Sequence, residues 1–172
     1  MEMKISDLYE KCAEFHGHKC PGLSVGVRAA YEAAHMLDLK FSEDEEVVCI
    51  SENDACGVDG IQVALGCSVG KGNLLFRLRG KQAFSFYNRN TGKSIRLMKR
   101  DTLPEMSREE KQHYILEAPF DEIFKVTQVK FELPEEARLF PSVVCDRCGE
   151  LTGEPYIRLS MGKKVCLDCY EV

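Results

Sequence analysis

The chain has 172 residues, of which 44% are hydrophobic and 30% are charged, and its formal net charge is -5. This length suffices for one ordinary hydrophobic core and a small appendage. The acidic balance argues against bulk electrostatic affinity for nucleic acid or anionic membranes, so neither is an expected partner. The opening residues are polar, and no apolar run reaches the roughly 20 residues that span a bilayer. We therefore expect a cytoplasmic protein without a membrane segment.

The first two predicted elements are helices separated by a tight turn. Ser6 is expected to be the N-cap of the first helix. Its apolar stripe is formed by Leu8, Cys12 and Phe15. Residues 16–22 interrupt the pattern, and Pro21 suits the first turn of a second helix that reaches about Leu37. The histidines and the cysteine of the turn therefore lie beside the N-terminus of the second helix.

A buried strand, a third helix and a meander are predicted next. The apolar run at 47–50 predicts the strand, and a turn-rich loop at 53–60 follows it. The third helix has one apolar face, formed by Val58, Ile61 and Leu65. Three stretches then alternate between apolar and polar residues, at 74–79, 84–86 and 94–98, and predict an antiparallel meander.

The next segment predicts one more helix and one more strand. Ser107 and Glu110 form a capping box for a helix that reaches about Glu117. The alternation at 127–133 predicts the strand, and Pro134 opens a polar linker.

These elements predict two domains. Residues 1–134 form an α+β core domain in which a mixed or antiparallel sheet packs against helices. Residues 141–172 form a small zinc module with four cysteine ligands. So few residues cannot fold on hydrophobic burial alone, so we expect metal binding to supply the folding energy of the module.

The zinc module is predicted from two cysteine pairs. Seventeen residues separate Cys145-x2-Cys148 from Cys166-x2-Cys169. Two thiolates three positions apart on a tight turn can hold one tetrahedral ion, which we expect to be structural zinc, with rubredoxin-type iron as the alternative. Four protein ligands leave no open coordination position. The module is therefore structural or a docking surface, built as a zinc ribbon or a truncated treble clef.

The remaining five of the nine cysteines are spread over the first seventy residues. In a reducing compartment they are metal ligands, reactive thiols or small core residues rather than a disulfide framework. Cys12 and Cys49 fall within apolar patterns and are expected in the core.

A second metal site is possible around the first turn. His16, His18 and Cys20 place three donor side chains within five residues, and the following helix N-terminus favours the thiolate of Cys20. A second loop contributes Cys56 and Asp59. The alternatives without a metal are helix capping with a buried thiol at the first turn, and a plain turn position for Cys56.

Three sequence blocks, in this order, resemble the E-subunit family of formylmethanofuran dehydrogenase: 15–23 (FHGHKCPGL), 56–62 (CGVDGIQ) and 66–73 (GCSVGKGN). The resemblance spans about residues 10–133, and the two cysteine pairs match members with a C-terminal zinc finger. It departs at Gly60, where alanine is expected, which is a minor change. It implies an α+β core similar to the C-terminal domain of glyceraldehyde-3-phosphate dehydrogenase, and a homodimer that is often intertwined.

The resemblance also implies a second metal ion, zinc or another transition metal. Carried over by position, its ligands are His18, Cys20, Cys56 and Cys67, with His16 and Asp59 in reserve.

Three functions follow as hypotheses. The first is a metal-binding accessory subunit or partner of a one-carbon molybdenum or tungsten redox enzyme. The second is a free-standing metalloenzyme or thiol-dependent enzyme that uses His18, Cys20 and Cys56. The third is a zinc-finger nucleic-acid binder, for which the zinc module at 141–172 offers only four basic residues, Arg147, Arg158, Lys163 and Lys164. The family's redox chemistry belongs to other subunits, and no iron–sulfur run or dinucleotide fingerprint occurs in this sequence.

Overall fold

A computed structural model of the chain describes residues 3–101, 104–136 and 139–171. The chain divides into two compact units, Met1–Pro134 and Glu135–Val172. No helix within the described ranges is long and apolar enough to cross a membrane.

The first unit contains five helices and five strands among its described residues. In chain order they are α1 (Ile5–His16), α2 (Pro21–Leu37), β1 (Val47–Ser51), α3 (Gly57–Leu65), β2 (Leu74–Phe76), β3 (Ala83–Asn88), β4 (Ser94–Lys99), α4 (Arg108–Glu117), α5 (Phe120–Ile123) and β5 (Phe124–Thr127). The second unit contains β6 (Ser142–Val144), β7 (Leu151–Gly153), a 3₁₀ turn (Glu154–Tyr156), β8 (Ile157–Ser160), β9 (Lys163–Cys166) and α6 (Leu167–Tyr170). The predicted α+β class is confirmed.

The five-stranded sheet is mixed, with the strand order β2-β1-β3-β4-β5. The strands β3, β4 and β5 form an antiparallel meander, but β2 does not belong to it. It pairs with β1 in parallel, with Cys49 opposite Leu74. The prediction that the stretch at 74–79 belongs to the antiparallel meander is therefore wrong. Because α3 carries the chain back along the sheet after β1, the next strand runs parallel to β1, and β3 pairs with the other edge of β1.

Two predicted element positions differ from the structure. The last strand, β5, ends at Thr127, and the alternating residues after it lie on the outer face of the sheet, where Val129 and Phe131 pack near Tyr87. The Tyr87 hydroxyl donates to the carbonyl of Phe131 at 2.6 Å. A chain that covers a sheet alternates like a strand, because every second side chain points to the sheet. The first helix begins one residue before Ser6, with no side-chain cap.

Helices cover the inner face of the sheet and enclose the main core. Strand residues with period two, Cys49, Phe84, Phe86, Leu97 and Phe124, join the apolar faces of α1 to α4 in one buried cluster. Cys12 and Cys49 are fully buried, as expected. Burial raises the pKa of the Cys12 thiol to about 12, so it is an inert core residue.

Arg28 attaches α4 to α2. Its guanidinium is buried and donates to the backbone carbonyls of Ile115, Leu116 and Ala118, and to the carboxylate of Glu32 at 2.6 Å. The carbonyls belong to the last turn of α4 and the residue after it, where a helix leaves its acceptors unpaired. The positive charge also interacts favourably with the C-terminal end of the helix dipole.

A buried ion pair on the sheet predicts acid sensitivity. Glu52 is 0% and Arg96 2% exposed, and their side chains form two hydrogen bonds, while Arg96 also donates to Thr127 at 2.9 Å. Burial raises the pKa of Glu52, but the hydrogen bonds and charge of Arg96 outweigh it, so the folded-state pKa is below the ordinary 4.5. A lowered folded-state pKa means that the ion pair stabilises the protein above about pH 4.5 and that this contribution is lost as the pH falls through the folded-state value.

We expect Glu52→Gln to lower the free energy of unfolding by about 3–5 kcal/mol at pH 7, because it leaves the Arg96 charge buried without a counter-charge. Urea unfolding monitored by circular dichroism measures the loss, and the difference from wild type should shrink below about pH 4. Glu10→Gln is the control, because its ion pair with Lys19 is exposed and is worth less than about 1 kcal/mol. Equal losses for the two variants would contradict the prediction.

Candidate metal centres

A backbone contact between α2 and α3 brings two cysteines together. A Cβ atom added to Gly26 would lie 1.8 Å from the carbonyl oxygen of Gly57, and one added to Gly60 would lie 2.8 Å from the backbone nitrogen of Val27. Only residues without side chains allow helices to approach so closely. Since Cys20 and Cys56 directly precede α2 and α3, the close approach places their thiols side by side.

Cys20 is the N-cap of α2. Its Sγ atom accepts a hydrogen bond from the backbone N–H of Leu23 at 3.3 Å, and Pro21 occupies the first helical position as predicted. The sulfur therefore lies at the positive end of the helix dipole, beside a free backbone donor of the first turn. Cys56 occupies the corresponding position before α3, where burial and hydrogen bonding with Cys20 raise its pKa.

His16, the last residue of α1, completes a three-residue group. Its Nε2 lies 3.8 Å from the Sγ of Cys20, and the ligand atoms of His16, Cys20 and Cys56 all lie within 4.8 Å of one another. A tetrahedral zinc ion with ordinary Zn–S and Zn–N bonds separates a sulfur and a nitrogen by about 3.6 Å. The spacing therefore fits one tetrahedral ion. We call these three residues the His16 group.

Asp59 orients the histidine of the His16 group. Its Oδ2 lies 2.7 Å from Nδ1 of His16, on the side of the imidazole opposite the thiols. Metal-binding histidines usually donate their second ring N–H to a carboxylate, which fixes the tautomer and the ring orientation. Asp59 thus lies where a supporting residue is needed, whereas the sequence suggested it as a reserve ligand.

The structure places the other two proposed ligands differently. The side chain of His18 is exposed, and its ring contacts that of His16 at a tilt of 37°, with 4.4 Å between the ring centroids. Cys67 is not part of any grouped set of ligand atoms among the described residues. Its thiol donates to the carbonyl of Val47 at 3.6 Å, and burial raises its pKa to about 12. The nine-residue helix α3 explains this: Cys56 precedes it and Cys67 follows it, roughly 13 Å further along its axis.

A second group in the described residues comprises the four C-terminal cysteines, whose Sγ atoms all lie within 4.8 Å of one another. The Sγ atoms of Cys148 and Cys166 are 3.8 Å apart. This equals the separation of about 3.8 Å expected for two thiolates on one tetrahedral zinc. The match supports structural zinc as the metal of this group.

Two different turns present these four cysteines. Cys145 and Cys148 follow β6 in a turn that Gly149 closes with φ of 76°. Cys166 is the N-cap of α6, and Cys169 lies in that helix. Because the second pair starts a helix rather than a second turn between strands, the module has the form of a truncated treble clef.

The crowded sulfurs need a cation. Backbone N–H groups of Cys148 and Cys166 lower the pKa of Cys145 to about 6, whereas hydrogen bonding with Cys166 and burial raise the pKa of Cys169 to about 12. A thiol that shares its proton with a neighbouring sulfur keeps that proton, so the sulfurs differ in protonation when no cation is bound. A divalent cation in their midst would hold all four as thiolates.

Comparisons with known proteins agree with this architecture. A family model described as "FmdE, Molybdenum formylmethanofuran dehydrogenase operon" matches residues 15–128, and one described as "Prokaryotic dksA/traR C4-type zinc finger" matches residues 138–172. A solved structure from Syntrophus aciditrophicus, of a protein like the E subunit (FmdE) of tungsten formylmethanofuran dehydrogenase, shares the fold. Its TM-score is 0.69 at 23% sequence identity, over 98% of this chain and 93% of that chain.

A curated relative comes from Archaeoglobus fulgidus and is named "Probable S-adenosyl-L-methionine-binding protein". It is 29% identical over 201 residues, which cover 98% of this chain and 54% of the relative. The chain thus spans about half the length of this relative. The FmdE match covers more than half of the chain, and the sequence blocks that carry the resemblance include the His16 group. The chain belongs to the FmdE family and carries a C4-type zinc finger at its C-terminal end.

Proposed function

We propose that the His16 group binds a transition metal, with zinc as the best fit, and that the C-terminal module binds a structural zinc. The observation that carries the proposal is the clustering of one imidazole and two thiols within 4.8 Å, beside a carboxylate that orients the imidazole. Two cysteines and one histidine are a common zinc donor set.

The residues of this site have distinct tasks. Cys20 and Cys56 would bind the ion through their Sγ atoms. His16 would bind it through Nε2, while the hydrogen bond between Nδ1 and Asp59 orients the ring. Three protein ligands leave one position of a tetrahedral ion for an external ligand, and a bound zinc would act there as a Lewis acid.

We further infer that the protein is an accessory subunit or partner of a one-carbon molybdenum or tungsten redox enzyme, and that it forms a homodimer. The descriptions of the FmdE family and of the Syntrophus protein support the partner. The second unit also exposes large apolar side chains that suit docking, namely Leu139, Leu151, Leu159 and Met161. Purification from the native source tests the partner, and isolation without any redox-enzyme component would contradict it.

A free-standing metalloenzyme is the second candidate. The three-ligand His16 group favours it, because catalytic zinc sites keep an open position and structural sites do not. The two candidates differ in one measurable respect: an enzyme acts without a partner protein.

Metal analysis of purified protein tests the metal proposal. We expect two metal ions per chain in wild type and one in Cys20→Ala, because alanine removes one of the three ligands at the His16 group. Inductively coupled plasma mass spectrometry gives the count and the identity of the metal. Cys12→Ala is the matched control, since Cys12 is fully buried in the core and should keep both ions. One ion in wild type, or two in Cys20→Ala, would overturn the proposal.

A further inference from the structure

A surface cavity of about 390 Å³ lies in the first unit, apart from the His16 group. Its walls come from α1, from the segment that follows α2, and from α3. The apolar lining consists of Met3, Leu8, Leu39, Phe41, Val63 and Ala64. The volume is within the range of about 300–1,000 Å³ that is typical of small-molecule sites.

The floor of the cavity is the main core itself. Leu8, Leu39 and Ala64 are each less than 9% exposed and belong to the main buried cluster. An alkyl chain placed on this floor would cover apolar surface, and each methylene that becomes buried contributes about 0.8 kcal/mol.

An aromatic side chain held in place forms part of the rim. Phe41 is 56% exposed, yet its ring packs so closely over Gly66 that a Cβ there would lie 2.9 Å from the ring. The ammonium of Lys71 lies 5.8 Å from the centroid of the same ring. Phe41 is therefore positioned before any ligand arrives, which lowers the entropic cost of binding.

Among the described residues that line the cavity, the ionisable ones are both cationic. They are Lys11 and Lys40, which border it from different elements. Within the described part of the chain, neither lysine takes part in an ion pair. In a protein with a net charge of -5, this cavity thus combines an apolar floor with a locally positive mouth.

We propose that the cavity binds the alkyl chain of a medium-chain carboxylate, with Lys11 and Lys40 at its carboxylate group. A neutral ligand would gain nothing from the two exposed ammonium groups, and a small anion would leave the apolar floor uncovered. A ligand with an apolar chain and one anionic end satisfies both features. The proposal is independent of metal binding at the His16 group.

Isothermal titration calorimetry with octanoate, decanoate and decanol, below the concentrations at which they aggregate, tests the ligand class. We expect decanoate to bind up to about fifteenfold more tightly than octanoate, because it buries up to two more methylenes. Decanol should bind about three- to tenfold more weakly than decanoate, since it lacks the ionic contacts. The double variant Lys11→Gln/Lys40→Gln should lower the affinity for decanoate to that for decanol. Equal binding of decanoate and decanol to wild type, or no binding, would overturn the proposal.

A matched pair of variants tests the location. Val63→Phe fills the cavity and should abolish binding, while Val69→Phe adds the same bulk at a residue that is 63% exposed and does not line the cavity.

Cys20→Ala should bind decanoate like wild type, and loss of binding there would show that the carboxylate occupies the His16 group instead. Sedimentation velocity of Val63→Phe completes the test, since a changed oligomeric state would mean that a second copy covers the cavity. Thermal unfolding establishes whether each variant is folded. If Val63→Phe does not fold, the double lysine variant still tests the proposal, because it is altered only at exposed positions.

Discussion

Replacing Cys145 with alanine should remove one metal ion per chain and unfold the described part of the second unit, residues 139–171, while the first unit stays folded. Among the described residues of this module, the buried apolar cluster contains only Cys145, Val165 and Cys166, so two of its three members are proposed metal ligands. A structural zinc in so small a module contributes about 10–16 kcal/mol of apparent binding free energy at pH 7, which is then the folding free energy of the module.

Two-dimensional ¹H–¹⁵N NMR measures this effect residue by residue. The amide signals of 139–171 should collapse to the narrow range of an unfolded chain, and those of the first unit should keep their dispersion. Met161→Ala is the control, because Met161 is 97% exposed at a hairpin tip and holds no metal. A folded module in Cys145→Ala would show that burial, and not the metal, maintains it. The optical spectrum of the wild-type protein distinguishes zinc, which is colourless, from rubredoxin-type iron.

Gly26→Ala is expected to lower both the stability of the first unit and its metal content. The added methyl group would lie 1.8 Å from the carbonyl oxygen of Gly57, and backbone atoms cannot move aside as a flexible side chain can. The helices α2 and α3 must separate, which should lower the free energy of unfolding by about 3 kcal/mol or more. The same movement pulls Cys20 away from Cys56, so the metal ion of the His16 group should be lost as well.

Urea unfolding and metal analysis of the same preparation check both consequences. Gly70→Ala is the matched control, since a Cβ at Gly70 would have nothing within 4 Å and its φ is not positive. We expect that variant to lie within about 0.5 kcal/mol of wild type and to keep two ions. A Gly26→Ala protein of wild-type stability with two ions would show that the backbone contact does not assemble the site.

Much of the fold could be predicted from local patterns. The capping box at Ser107 and Glu110 is present, and Pro21 starts α2. Strand β1 lies at its predicted position within one residue. These features depend on residues within one turn or one strand, so their physical cause is contained in the sequence nearby.

The errors have a common origin in long-range packing. The alternation of 74–79 indicates a strand but not its partner, and α3 brought β2 to the parallel edge of β1. Similarly, apolar and polar residues alternate around Phe131 because this segment packs on the outer face of the sheet. A paired strand produces the same alternation, so the sequence does not distinguish the two.

The four-cysteine group could be recognised from residue spacing, because two short spacings each impose a turn and the donor type selects the metal. The position of Cys20 at the start of a helix was likewise predictable. The His16 group, in contrast, depends on the packing of distant segments. His16 and its hydrogen-bond partner Asp59 are 43 positions apart. Cys20 and Cys56 meet because the backbones at Gly26 and Gly57 allow two helices to touch. The spacing of residues along a chain sets local geometry, whereas contacts between distant segments depend on how closely their backbones can pack.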